Sequence, residues 1–392
     1  MSDKLKDKLY QRIDDNFSEL QEMSKWLYDN PELPMQEYKS VERLIEYLEK
    51  YGFEVETKIA NLDTSFIARY KIGEGGPKIG FLAEYDALPE VGHGCGHNLI
   101  AASCVGSAVN LAKTLEPDTP AEIIVFGTPD EEYDGGKIFM AEEGAFQGID
   151  AALQIHPSPV RNDVGGSSTP HQTMVIDFHG KSAHTAFNPT EGINALNAVH
   201  ITFAGLHAMH QYLKRGTRIP ATITNGGGAP NTVPDFAQMR VHVTTIESDY
   251  LEEVVQKIEN CAQAGALATG ARAEINKGPA YKKLFSNGVL TKQMEKNLKE
   301  MGYDLAEPPE APYATDVGNV SWECPTTMGH LSLQIPDVAM HTKKMASTTV
   351  SEQGEKTLRD SVKAMASTAL DMITDNELLE QAKQEFNETM NK

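Results

Sequence analysis

The sequence predicts an α/β fold: a large domain with a mixed, mainly parallel sheet flanked by helices, plus an inserted smaller ferredoxin-like α+β domain. Three observations carry this. Strand and helix patterns alternate through the N-terminal third, as they do when helices cover both faces of a sheet. Residues 168–282 then run in the order β-α-β-β-α-β, a complete ferredoxin-like unit. After 283 the first style returns, so 1–167 and 283–392 form one discontinuous domain around the 168–282 insertion.

In order along the chain, 3–29 and 36–51 are charged, amphipathic and helical in period. Asn30-Pro31 and Pro34 break between them, and Tyr51-Gly52 closes the second. β-rich runs follow at 54–59, 65–70 and 78–84, the last preceded by the turn-forming GEGGP at 73–77. A helix over 98–115, a strand at 122–127, a helix at 136–143 and a strand at 151–155 complete the first segment. The insertion reads as strand 173–180, helix 188–213, strands 221–225 and 238–246, helix 248–269 and strand 271–276. Beyond it come a helix at 287–301, a Pro-rich turn at 308–312, two short strand-like pieces and a final helix over 348–375.

The 392 residues are 40% hydrophobic and 23% charged, which excludes disorder and fibrous repeats. A net charge of −21 without a Lys/Arg cluster opposes binding to nucleic acid or anionic lipid, leaving a small molecule or peptide as the expected partner. The cysteines, Cys95, Cys104, Cys261 and Cys324, are too scattered for a disulfide framework, and MSDKLKDKLYQ lacks a signal-peptide core, so a cytoplasmic location is expected. Residues 91–112 carry no Asp, Glu, Lys or Arg. Yet His93, His97, Asn98, Ser103, Ser107 and Asn110 within them predict a loop and a buried helix, not a membrane span.

Four separated pieces concentrate metal-capable side chains: His93-Gly94-Cys95-Gly96-His97, Asp130-Glu131-Glu132, His156-Pro157 and His341-Thr342. Three of them follow predicted strands, where open α/β sheets bind ligands. Thiolate, imidazole and carboxylate hold zinc and its neighbours. Cys95, His97, Glu132, His156 and His341 are too many for one catalytic position with an open site, but suit two metals sharing a ligand. Cys95, flanked by glycines, is the natural bridge. Adjacent carboxylates diverge, so Glu132 can hold metal while Glu131 serves as general base.

These pieces, with Asp86-Ala87-Leu88-Pro89, GKSAHTA at 180–186 and GGGAPNTVPD at 226–235, resemble the dinuclear metallopeptidase family of carboxypeptidase G and the aminoacylases. Within it the sequence is most similar to the amidohydrolase branch of hippuricase, auxin-conjugate hydrolases, p-aminobenzoyl-glutamate hydrolase and dipeptidase-like members. The resemblance implies a metal-dependent amidohydrolase or peptidase that cleaves the amide bond of dipeptides or N-acyl amino acids, with two divalent ions, Zn2+ or Mn2+. It makes Cys95, His97, Glu132, His156 and His341 the ligands, Glu131 the base and Asp86 the acid that orients the metal centre. His184 matches a histidine that reaches a partner subunit's site and stabilises the oxyanion, while Asn231 and Arg240 match positions for the substrate carboxylate. The insertion is then a lid and dimerisation domain, and a homo-oligomer, dimer or tetramer, is expected.

Thr315-Asp316-Val317-Gly318 resembles a family loop near the substrate pocket, so Asp316 is expected either to read a basic amine on the substrate or to be a turn acid before Gly318. The chain departs from the branch at Asn98, where many members have an acid, and at Thr342-Lys343-Lys344 after His341, which leaves His330 as the alternative last ligand. Two other readings stand beside the leading one: a metal-independent cysteine hydrolase using Cys95, which leaves Glu132, His156 and His341 unexplained, and a non-catalytic binding protein of the same fold.

Overall fold

The computed structural model describes residues 2–310 and 313–391. In chain order its strands are β1 (Glu54–Thr57), β2 (Phe66–Ile72), β3 (Lys78–Glu84), β4 (Ala121–Thr128), β5 (Ala151–Ser158), β6 (Asp163–Val164), β7 (His171–His179), β8 (Ala221–Asn225), β9 (Phe236–Thr244), β10 (Arg272–Tyr281) and β11 (Thr326–Ser332). The chain divides into two compact units. The larger is built from Met1–Ser167, Leu284–Glu310 and Thr315–Lys392, and Ser168–Lys283 forms the body of the smaller.

In the larger unit seven strands lie in the order β1-β2-β4-β3-β5-β11-β6. β3 runs parallel to β4 and β5, and β5 parallel to β11, while β1, β2 and β6 are antiparallel additions. The inner strands are continuous apolar runs because both faces are covered: Ile79, Phe81, Leu82 and Ala83 in β3 and Ile123, Ile124, Val125 and Phe126 in β4 are fully buried. Four parallel strands therefore end on one edge, with Glu84 beside Thr128 and His330 beside His156 in register.

The N-terminal helices bury one stripe each, Leu9 and Ile13, then Leu20, Met23 and Leu27, at helical spacing. The sequence pattern reads 3–29 as one helix, but the structure breaks it at Asn16, between Ser2–Asp15 and Phe17–Asp29. The Asn16 side-chain amide leaves its own backbone and donates to Asn110 Oδ1 at 3.3 Å.

His97–Ala112 is a helix with all of its residues buried. Several of its polar side chains bond within the helix: Ser107 Oγ donates to the Ser103 carbonyl (2.7 Å) and Asn110 Nδ2 to that of Gly106 (2.8 Å), while Asn98 Nδ2 reaches Ser24 and Thr349. At Gly106 a Cβ would stand 2.6 Å from Leu20, so this glycine is what lets the second helix seat. Among the described residues no helix is long and apolar enough to cross a membrane.

The smaller unit is a four-stranded antiparallel sheet, β10-β7-β9-β8, with helices Ala195–His210 and Ser248–Thr269 on one face. Alternation in β9 buries Ala237, Met239, Val241 and Val243 beneath those helices. This is the β-α-β-β-α-β unit expected from the sequence. Its first helix starts at Ala195, not 188, because the chain turns through Pro189–Glu191 and Asn194 caps the helix by accepting from Asn197 N.

Near the C-terminus, one of the two strand-like pieces is β11, while Val317–Val320 is a helical turn. The helix expected over 348–375 spans Glu352–Thr374 and is not the last, since a further helix, Asn376–Met390, follows it. Asp375 both ends the first and caps the second, which reads in sequence as one stop signal.

Candidate metal centre

The site lies in the larger unit, where β3, β4 and β5 end. After β3 come Tyr85 and Asp86. Asp86 is fully buried and its Oδ1 accepts from His97 Nδ1 at 2.8 Å, so the opposite ring nitrogen, Nε2, is the one offered to a ligand. The same carboxylate accepts from the Glu132 backbone N–H through Oδ2 (3.1 Å), coupling two of the four pieces.

The loop bearing Cys95 is shaped by its glycines. Gly96 has φ +85, and a Cβ there would meet Pro157 at 2.4 Å. One at Gly94 would stand 3.1 Å from the His341 Cα. The close approach lets His341 N donate to the Gly94 carbonyl (3.0 Å) and holds His341 at φ +62. After β4, Asp130 at φ +57 turns the chain: its carbonyl accepts from Gly135 N and Gly136 N, and its N–H donates to the buried carboxylate of Glu37. That turn presents Glu131 and Glu132. His156, on β5, donates Nδ1–H to the Pro157 carbonyl (2.7 Å), which frees Nε2.

The resulting geometry includes two donor triads that share one atom, with a third group, His97, Glu131 and Glu132, overlapping both. Cys95, His97 and His156 bring their ligand atoms within 4.8 Å of one another, and so do Cys95, Glu132 and His341. Cys95 Sγ is 3.4 Å from His156 Nε2, and His341 Nε2 is 3.5 Å from Glu132 Oε1. His97 Nε2 and Glu132 Oε1 are buried with no hydrogen-bond partner, an arrangement costly in a protein interior unless a cation supplies the missing contact. Sulfur, imidazole and carboxylate in threes, with open coordination left over, fit a pair of borderline divalent ions. Glu131 stands beside the first triad, its Oε2 3.9 Å from His97 Nε2.

The electrostatics of His156 agree with a ligand role. Burial pushes the His156 imidazole down to about 3, the neutral form that coordinates. Burial also pushes the Cys95 thiol well above its usual range, outweighing the neighbouring His97, which pulls it down. His93 donates Nε2–H to the Leu27 carbonyl (3.2 Å) and burial lowers it to about 3, so it is a neutral packing residue.

His330, the alternative last ligand, belongs to neither triad: its Nδ1 is 2.7 Å from Asp163 Oδ1. Asp316 corrects the expectation that it reads a substrate amine. It is fully buried, its Oδ1 pairs with Lys137 Nζ at 2.7 Å and its Oδ2 accepts from Lys137 N at 3.0 Å, so an internal ammonium already fills the role. Lys137 Nζ also contacts Glu84 Oε1 (2.6 Å). Burial disfavours the charged lysine, but the carboxylates of Asp316 and Glu84 outweigh it and hold Lys137 above its ordinary range.

Lys137, Glu84 and Glu37 are site residues that the sequence reading missed. Two signals were present. Lys137 stands in the first turn of Gly136–Glu142, where the helix dipole disfavours a cation, and Glu84 shares the buried face of β3 with Leu82.

In the smaller unit, His184 and Asn231 share one loop cluster. His184 bridges to Thr232, and Thr185 N donates to the Asn231 carbonyl (3.0 Å). His184 Nδ1 accepts from Ala186 N at 3.1 Å, which leaves its Nε2 as the protonated, donating nitrogen. Arg240 is exposed on β9, on the sheet face opposite the helices.

The profile of Peptidase family M20/M25/M40 matches residues 80–371. The Xaa-Arg dipeptidase of Mus musculus is 32% identical over 403 residues, covering 97% of this chain and 92% of its own length. A p-aminobenzoyl-glutamate hydrolase chain of Escherichia coli (strain K12) is 27% identical, covering 92% and 90%. Among solved structures, an aminohydrolase from methicillin-resistant Staphylococcus aureus shares the fold with a TM-score of 0.77 at 21% identity, covering 95% of this chain and 100% of its own. A dinuclear metal-binding M20 peptidase from Bacillus subtilis does so at 0.66 and 21%, covering 91% and 98%.

Proposed function

Because the chain belongs to peptidase family M20/M25/M40 and is a metal-dependent hydrolase of amide bonds, we propose that it cleaves dipeptides whose C-terminal residue is cationic, through the Cys95-centred site. The observation that carries the site assignment is the pair of donor triads sharing Cys95, with Glu131 beside them. Cys95, His97, His156, Glu132 and His341 would hold the divalent ions, Zn2+ or Mn2+, which would supply Lewis-acid polarisation of a carbonyl and acidify a bound water.

The chain's own groups do the rest. Glu131 takes the proton of the attacking water and returns it to the leaving amine. Asp86 fixes the His97 ring through Nδ1, and the Pro157 carbonyl fixes that of His156. His184 donates its Nε2–H to the developing oxyanion, from a second copy of the chain in a homo-oligomer. Asn231 and the Arg240 fork hold the substrate carboxylate. The cysteine-nucleophile reading is not favoured, since it leaves Glu132, His156 and His341 unexplained and burial pushes the Cys95 thiol up.

Two features support a cationic substrate. The relatives at 32% identity are Xaa-Arg dipeptidases, and the net charge of −21 raises the local concentration of cationic substrates at low salt. With Asp316 closed off by Lys137, the group that reads the cation is another acid. The test is a hydrolysis screen over Xaa-Arg, Xaa-Lys and neutral dipeptides, N-acyl amino acids and p-aminobenzoyl-glutamate, before and after chelation and with Zn2+ or Mn2+ restored. Activity should disappear on chelation, return with metal and favour the basic dipeptides. Activity that survives exhaustive chelation removes the metal reading, and a preference for p-aminobenzoyl-glutamate removes the substrate choice alone.

A further inference from the structure

Three carboxylates, those of Glu84, Glu131 and Asp316, bring oxygens within 4.8 Å of one another from three separate parts of the chain. Two of them grip Lys137: Glu84 Oε1 at 2.6 Å and Asp316 Oδ1 at 2.7 Å, with the Lys137 N–H adding a second tie to Asp316. All three members of that clamp are at most 1% exposed. The other oxygen of Glu84, Oε2, is buried without a hydrogen bond and lies 3.7 Å from His97 Nε2.

Stability alone is a weak reason for such an arrangement. A buried ion network of this kind is commonly matched or bettered by apolar residues of equal volume, because desolvation cancels most of its attraction. Position is the better reason. Glu131 approaches the same His97 nitrogen at 3.9 Å, so Glu84 and Glu131 compete for the space in front of the first triad.

We propose that Lys137 is a positioning residue for Glu131: by clamping Glu84 and Asp316 it fixes Glu84 where it stands and makes the two acids a fixed negative wall that turns the Glu131 carboxylate toward the attacking water. The inference rests on Glu131 being the base. Without the ammonium, Glu84 is free to swing its Oε2 the short distance to the cation bound at His97 and occupy the place of the water. The loss is then of turnover and not of metal.

The experiment is Lys137→Met, measured as kcat, KM, bound metal and metal loss to a chelator, alone and in a Glu131→Asp background. A displaced base costs on the order of 100-fold in rate, so Lys137→Met should lower kcat about 100-fold with KM within about threefold. Metal should be retained at least as firmly as in the parent. On top of Glu131→Asp, where the base is already displaced, Lys137→Met should cost less than about threefold more.

Equal losses in both backgrounds, or an unchanged kcat, overturn the positioning role. A Glu131→Gln enzyme with near-parental kcat instead overturns the base assignment, a separate outcome. If Lys137→Met does not fold, the neutral variant Glu84→Gln, Lys137→Met, Asp316→Asn removes the unpaired charges. Recovery of thermal stability with kcat still depressed supports the role, and recovery of both shows that the clamp serves charge balance only.

Discussion

Glu131→Gln should retain a parental complement of metal while kcat falls by about 10²–10⁴-fold, the range that a positioned proton-transfer group contributes. The separation of the two effects follows from the geometry. Glu131 belongs to neither Cys95-centred triad, so neutralising it leaves the donors Cys95, His97, His156, Glu132 and His341 in place. The amide is nearly the same size as the carboxylate, but it cannot accept the proton of water or hand one to a leaving amine. Metal analysis, together with single-turnover rates on a basic dipeptide, decides the matter: residual activity within tenfold of the parent removes Glu131 from the base role. Loss of metal alongside activity would make it a ligand instead.

Cys95→Ala should empty both metal positions at once. Each triad would drop to two donors, His97 with His156 and Glu132 with His341, since the sulfur is the atom they have in common. Changes in groups that merely orient ligands already cost about 10–100-fold in metal affinity, so removing a shared ligand should exceed about 100-fold at each position. Glu132→Ala makes the contrast, since it should weaken one position and spare His97 and His156. Titration with a competing chelator checks both. A Cys95→Ala protein that still holds two ions with parental affinity would show that the sulfur is not the shared donor.

Much of the fold is legible because its signals are local. Apolar runs such as Ile79–Ala83 and Ile123–Phe126 identify inner strands, and the order of elements in 168–282 identifies the smaller sheet. Boundaries were harder where one residue carries two messages. Asn16 breaks a continuous helical pattern through a bond to Asn110, 94 positions away, and Asp375 ends one helix by starting the next.

At the site, the four metal-capable pieces could be read because each combines unusual residue types at the end of a strand. The clamp could not. Glu84, Lys137 and Asp316 are ordinary charged residues, and only the fold shows that they share one enclosed volume. Asp316 shows how this misleads: an acid next to a glycine turn looks available to a ligand, whereas its charge is already met by a lysine 179 positions earlier.

The helix His97–Ala112 has one more consequence. An ordinary amphipathic helix has a tolerant face, so acceptable substitutions recur along it every 3.6 residues. Here every position is enclosed and its polar side chains are tied to their own turns or to neighbouring segments, so no face is free to vary. Tolerance along this segment should be flat and low, without helical rhythm. A map of neutral variation across the chain would then show 97–112 as a featureless gap, and would hide both its helical nature and the position of its one chemical residue, His97, at the first turn.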